Sequence, residues 1–277
     1  MKPDVAAYYN QTQNHYKRWW HLDTAMALHY GIWFDETKTF LEALNNTNVY
    51  LAELGKLERG QKVLDAGCGV GGSAIFLAKK FNCQVIGITL SDLQIETAKR
   101  NAQIHNVPDK TNFLLLDYSD TNLPANSFDV IWACESSSSS PDKHKTINEW
   151  FRLLKPGGKL VLADFFRSEE EQIDQDHLLV KWTNIWAMSP LVTIDELINN
   201  LQKRGFTLKE NKDLTANIYR TARKMHHSYW LGLIPALVYN LILGARPYAR
   251  NHYKSGLYQY KALMQDLWQY RCIVAHK

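Results

Sequence analysis

Residues 63–72, VLDAGCGVGG, set a short apolar run directly against four glycines within six positions, and the helically spaced GSAIFLAKKF follows. A strand that ends in glycines and passes straight into a helix is the opening of a βαβ unit. Such a unit requires a parallel sheet with helices packed on its faces. This one stretch therefore weighs against an all-helical or an all-antiparallel chain.

The segments that follow repeat the alternation. CQVIGIT reads as a strand, SDLQIETAKRNAQIH as a helix, and TNFLLLD and FDVIWAC as two more strands. KTINEWFRLL is a helix, PGG a turn and KLVLADF a fifth strand. The nearly continuous apolar character of these strands fits burial on both faces. Upstream, residues 37–57 are predicted helical, because Phe40, Leu41, Leu44, Tyr50, Leu51 and Leu54 fall near a 3.6-residue period.

Downstream, SEEEQIDQDHLLVKWTNIWAM reads as an acidic, then apolar, helix. TIDELINNLQKRG reads as a helix that Thr193 and Glu196 start and Gly205 stops. FTLKENKDL and YRCIVAHK supply a sixth and a last strand. The expected fold is α/β, a doubly wound, mostly parallel seven-stranded Rossmann-like sheet. A helical cap occupies 1–57 and the core 58–165. A lid and substrate region with one further strand spans 166–265, and 266–277 closes the core.

The glycine spacing also satisfies GxGxxG through Gly67, Gly69 and Gly72, the pattern of a dinucleotide site. Two features argue against a dinucleotide. The second strand ends GITLS without the acid that would hold a ribose, and Asp65 stands two residues before the first glycine, where it would repel a pyrophosphate. A carboxylate there suits a ligand with positive amino and sulfonium groups.

At this point the chain resembles a known superfamily. LDAGCGVGGSA is similar to the first motif of class I S-adenosylmethionine-dependent methyltransferases, and LLKPGGKLVLADF to their later strand-turn-strand motif. GITLSDLQ resembles the branch of tocopherol methyltransferases, sterol methyltransferases and cyclopropane synthases, as does LHYGIW ahead of the core. The likeness covers about 30–165 and loosens beyond. It implies S-adenosyl-L-methionine as cofactor, S-adenosyl-L-homocysteine as product, and no metal. It places the cofactor site at Asp65, Gly67, Cys68, Gly69, Thr89, Leu90, Gln94, Asp117, Tyr118, Ala133 and Tyr30. The local alternatives are a helix cap made by Ser91 with Gln94 and a surface turn at Asp117.

IWACESSSSSPDKH contains five serines in a row, a composition that elsewhere means a flexible linker. Here the run starts where the fourth strand ends, and parallel sheets hold ligands outside the carboxyl ends of their strands. It is therefore expected to be an active-site loop. The tocopherol-type loop has the form E-S-x-x-H-x-P-D-K, which Glu135, Ser136, Pro141, Asp142 and Lys143 match. Ser139 stands at its histidine position. Cyclopropane synthases show E-H-V-G after this strand, which is absent. A base, where the acceptor has a proton to lose, would be Glu135 or His29; either could instead be structural.

Composition narrows the acceptor. The chain of 277 residues carries 9 Trp, 14 Tyr and 10 Phe, a surplus that suits a large core or a pocket for an apolar or cationic ligand. Four scattered cysteines without CxxC spacing argue for a reducing compartment and against a zinc site. No secretory signal is legible at the start, and the longest apolar run, Trp230 to Gly244, is too short to span a bilayer; the expected location is cytoplasmic.

Net charge is +4, too mild for nucleic acid. Between Asp213 and Asp266 there are seven Lys or Arg and three His but no acid. That segment reads as a lid, apolar with basic ends. It suits a hydrophobic small-molecule acceptor and peripheral contact with a membrane, or forms a helical hairpin that merely covers the sheet. The functional expectation is methyl transfer to an apolar or amphiphilic molecule (prenyl-quinol, sterol, terpenoid or fatty-acid-like). The alternatives are N-methylation of a small amine or a cofactor-binding module without turnover. The sequence leaves the oligomeric state undefined.

Overall fold

The structure is a computed structural model that describes residues 4–20, 22–243 and 246–277. Residues 1–3 and His21 of the cap, and Gly244 and Ala245 of the lid stretch, lie outside the described residues.

The cap comprises α1 (Val5–Trp20), α2 (Leu22–Ala25) and α3 (Phe40–Leu54). α3 begins at Phe40 because Thr39 and Glu42 form a reciprocal capping box. The core then runs β1 (Lys62–Ala66), α4 (Gly72–Phe81), β2 (Gln84–Thr89), α5 (Asp92–Ile104), β3 (Thr111–Leu115), β4 (Phe128–Cys134), α6 (Lys143–Leu153) and β5 (Leu154–Arg167). Next come α7 (Leu178–Ile185), α8 (Ile194–Arg204), β6 (Thr207–Asp213), α9 (Thr215–Leu243), α10 (Pro247–Asn251), α11 (Ser255–Met264) and β7 (Trp268–His276).

The seven strands lie in the order β3-β2-β1-β4-β5-β7-β6. β1 through β5 pair in parallel, and β7 runs antiparallel to both β5 and β6. The order reverses between β1 and β4, so the crevice outside their carboxyl ends is the topological switch point, where ligands of such sheets bind. The seven strands and the doubly wound architecture expected from the sequence are all present.

Three local expectations differ. Of the acidic-apolar stretch expected to be helical from 168, only Leu178–Ile185 is α7, because the Asp174 carboxylate caps the Leu178 and Leu179 amides at 2.8 and 2.9 Å and starts the helix there. The PGG turn lies inside the longer β5, where the β4 pairing jumps from Leu154 to Lys159 and Gly157 takes a positive φ of 77°.

The lid departs most. α9 buries Ile218 and Ala222 in the core, then runs on past it, leaving Trp230, Leu231, Ile234 and Leu241 exposed at 58–88%. At 1.5 Å per residue its 29 residues reach roughly 43 Å. The apolar half of the stretch is therefore divided: Tyr229, Pro235 and Ala236 line a second cavity, while Trp230, Leu231, Ile234 and Leu241 form an exposed edge.

Candidate active site

The carboxyl ends of β1, β2, β4 and β5, roofed by α1 and the segment after α2, enclose a cavity of about 540 Å³. Asp65 is the fourth residue of β1. Its neighbours in the ladder are Gly87 and Trp132, so its side chain leaves the sheet at the switch point. It is 2% exposed, and its Oδ2 has no hydrogen-bond partner. Burial pushes its pKa up to about 7, opposed by the Ala74 amide. A buried carboxylate with one oxygen unpaired and no cation beside it is costly unless a cation completes it.

The glycine loop beside it is shaped for close approach. Gly67 and Gly69 have φ of 106° and 50°, where a side chain is strained. A Cβ on Gly67 would collide with Ser136 Cβ, and one on Gly72 with the Met26 carbonyl. The serine loop and the cap thus both close against this turn because it lacks side chains.

The serine run is pinned, not flexible. Ser136, Ser137, Ser138 and Ser140 are all buried. Underneath, Asp164 on β5 accepts from Ser137 Oγ at 2.6 Å and from the Ser138 amide at 2.9 Å. From the start of α6, Lys143 Nζ donates to the Ser137 and Ser140 carbonyls at 2.6 and 2.7 Å. Burial pushes the Asp164 carboxyl up and draws the Lys143 ammonium down to about 8. Neither residue's role was read from the sequence. The signals were the acid at the end of KLVLAD and the lysine closing the loop motif.

Glu135 starts the loop at φ 51°, a left-handed conformation that a non-glycine side chain adopts at a cost. Its Oε1 accepts from the Tyr30 amide and from Tyr270 Oη, both at 2.7 Å. Burial pushes its pKa well up; the two donors pull the other way. His29 is buried beside it. Its Nδ1 lies 2.9 Å from the Tyr30 carbonyl, which can only accept, so Nδ1 carries the proton and Nε2 presents a lone pair. That Nε2 is buried without a partner, and burial lowers the ring's pKa.

Nine of the eleven residues the sequence assigned to the cofactor line this cavity. Asp65, Gly67, Cys68 and Gly69 come from the first turn, Thr89, Leu90 and Gln94 from the second, and Asp117 and Tyr118 from the third. Thr89 Oγ1 donates to Gln94 Oε1 at 2.6 Å, while Ser91 caps the Gln94 amide. Asp117 Oδ1 accepts the Ser119 amide, which makes the local turn, and Tyr118 Oη donates to the Ser136 carbonyl at 2.7 Å.

Ala133 and Tyr30 do not line the cavity. Ala133 is fully buried within β4 because its side chain faces the packed layer of the sheet. Tyr30 turns into the core, stacks on Tyr270 and donates to Gln259; only its amide serves the site. Unforeseen wall residues are Tyr8, Tyr9 and Tyr16 of α1, Phe165 of β5, and Trp186 and Met188 after α7. Their tertiary placement left no motif. Among the described residues no group of three or more His, Cys, Asp or Glu is placed to hold a metal ion.

The family model for mycolic acid cyclopropane synthetase matches residues 2–230. The chain belongs to that family. It is 40% identical over 189 residues to 27-O-demethylrifamycin SV methyltransferase of Amycolatopsis mediterranei, covering 68% of this chain and 69% of that one. It is 31% identical over 218 residues to 2-methyl-6-phytyl-1,4-hydroquinone methyltransferase of Synechocystis, covering 75% and 67%. The cyclopropane synthase MmaA2 of Mycobacterium tuberculosis shares the fold with a TM-score of 0.85 at 18% identity, over 99% of this chain and 97% of that one.

The protein is an S-adenosylmethionine-dependent methyltransferase of the branch that the sequence motifs indicated. The cavity fits that cofactor, since the unpaired Oδ2 of the Asp65 carboxylate and the bare glycine turn answer a ligand that is positive and must approach the backbone closely.

Proposed function

We propose that the protein methylates an apolar or amphiphilic small molecule of the prenyl-quinol, sterol, terpenoid or fatty-acid kind. The observation that carries this is the composition of one cavity. The cavity that Asp65 enters is also lined by Tyr9, Met26, Leu28, Phe165, Trp186 and Met188, which offer apolar area to bury, and no Lys or Arg lines it to pair with an anionic acceptor. The relatives named for a rifamycin and a phytyl-hydroquinone act on molecules of that character.

S-adenosylmethionine, when bound, supplies an electrophilic methyl on a sulfonium that is already a good leaving group. The chain's own residues hold, orient and deprotonate. Asp65 pairs with the positive end of the cofactor, the Thr89–Gln94 pair meets the ribose, and Asp117 with Tyr118 flanks the adenine. The aromatic wall sets the acceptor in line, and orientation of this kind accounts for much of the rate in a displacement.

For an acceptor that loses a proton, His29 Nε2 receives it, since it is an unpartnered basic atom on the wall, and Asp65 Oδ2, the other one, is assigned to the cofactor. Glu135 works one step back. Its bonds to the Tyr30 amide and Tyr270 fix the backbone from which His29 projects. Ser139 lines the cavity without a ring of its own, and His29 takes over the role of the histidine that the related loop carries there. H29Q is expected to lower turnover by about 10²-fold with cofactor affinity retained.

The exposed apolar edge of α9, set in a segment with seven cations and no acid, meets an anionic bilayer surface from which such acceptors are drawn.

The deciding experiment uses methyl-labelled S-adenosylmethionine with purified protein and metabolite extracts split into organic and aqueous phases, beside a heat-killed control. Label in the organic phase is the expected result. Label confined to the aqueous phase would point to a small polar acceptor, and no transfer at all to a binding module.

A further inference from the structure

A second chamber, of about 480 Å³, lies between α1 and the insertion that joins β6 to β7. Resting on the acceptor reading above, we infer that this chamber houses the body of the acceptor, and that the body is uncharged, apolar and furnished with hydroxyl or carbonyl groups.

Space is the first argument. Pockets of roughly 300–1,000 Å³ hold one drug-sized ligand. The first cavity, at about 540 Å³, must take a nucleoside joined to an amino acid together with the reacting end of the acceptor. A sterol- or prenyl-sized remainder needs a further volume beside it. The second chamber adjoins directly, because Tyr16 forms part of the wall of both.

Charge is the second. The insertion carries seven Lys or Arg, yet no Lys, Arg, Asp or Glu lines the chamber. An ionised ligand buried there would go unpaired, at a cost that excludes tight binding. The polar groups present are neutral amides, hydroxyls and imidazoles, among them Asn14, His15, Ser228, Asn240 and His252. Trp20, Met225, Tyr229 and Ala236 supply the apolar area between them. Fatty acids and other anions drop out of the proposed acceptor classes, and neutral prenyl-quinols, sterols and terpenoids remain.

The partition between the two spaces is the third. Tyr8 Oη lies 2.7 Å from Tyr16 Oη and 3.0 Å from His252 Nε2, and His15 Nδ1 lies 3.2 Å from His252 Nδ1. This chain of neutral groups runs from the first cavity into the second. Burial draws His252 down to about 3, so the partition stays uncharged at neutral pH. It can exchange its internal hydrogen bonds for bonds to hydroxyls of an acceptor lying across both chambers.

The test titrates the purified protein with Nile red, an uncharged apolar dye, in saturating S-adenosylhomocysteine. Wild type is expected to bind the dye with a blue shift in its emission. A236W, whose indole fills the chamber, is expected to lose about tenfold or more in dye affinity, a difference of about 1.4 kcal/mol, with S-adenosylhomocysteine affinity unchanged by calorimetry. I234S alters the exposed face of α9 outside the chamber and is expected to bind the dye as wild type does.

Equal dye affinity in wild type and A236W, absence of dye binding, or release of the dye by S-adenosylhomocysteine would overturn the inference. In the phase-partition assay, A236W is expected to lose organic-phase label. If wild type labels only the aqueous phase, the acceptor reading fails by itself, and the dye titration still decides what the chamber binds.

Discussion

Asp65 shows how one side chain can be costly for the fold and necessary for the ligand. Its folded pKa of about 7 stands above the ordinary carboxyl value of 3.8, so the folded state favours the protonated form. The stability it contributes is complete below about 4 and is lost as pH rises through 7. D65N removes that dependence. In the ligand-free protein its advantage over wild type is expected to grow by on the order of 2–3 kcal/mol between pH 5 and pH 8, read by urea denaturation at both values. An advantage that is the same at pH 5 and pH 8 would contradict this. Asp65 was legible from its place before the glycines, and Glu135 from its place at a strand end. The partners that define Glu135, the Tyr30 amide and Tyr270, lie 105 and 135 residues away in the chain. Only the folded packing brings them together.

The serine run and the glycine turn are best understood as one pair of elements. Five serines have the composition of a linker, and their position after β4 outweighed it. Asp164 and Lys143 explain why: they pair the Ser137 hydroxyl, the Ser138 amide and the Ser137 and Ser140 carbonyls, so the run can be buried. Because Gly67 lets Ser136 close on the turn, G67A is expected to destabilise the protein by about 1–3 kcal/mol and to abolish S-adenosylhomocysteine binding. G60A is the control. Gly60 also has positive φ, at 79°, but a Cβ there meets nothing, so it should cost only about 1–2 kcal/mol and bind normally. Thermal melts and calorimetry on both variants check this. The helix starts were legible where a capping residue preceded an apolar period, as at Thr193 and Ser91. The stretch at 168–177 misled because its acids match a helix's first turn, while Asp174 places the real start further on.

At the scale of the molecule, the alternation of strands and helices was enough to read the sheet, and the sheet places the site at its switch point. What the alternation could not show is where the lid goes. Half of α9 lies beyond the core, and its apolar residues divide between the wall of the second chamber and an exposed edge, a division that depends on length and direction, not on composition. That exposed edge beside basic residues gives a direct expectation. The protein should sediment with vesicles containing anionic lipid and not with zwitterionic ones, more weakly as salt rises. L231S combined with I234S should reduce sedimentation with the anionic vesicles. Equal binding to both kinds of vesicle would contradict the charge argument.

The account converges on one buried carboxylate that awaits a positive ligand, and titration calorimetry of S-adenosylmethionine into wild type and D65N at pH 6 and pH 8 tests it most directly. Wild-type affinity is expected to rise about tenfold between pH 6 and pH 8 as Asp65 ionises through about 7, and D65N should bind weakly with no such rise. If D65N binds as tightly as wild type at pH 8, Asp65 does not hold the cofactor and the account of the site is wrong.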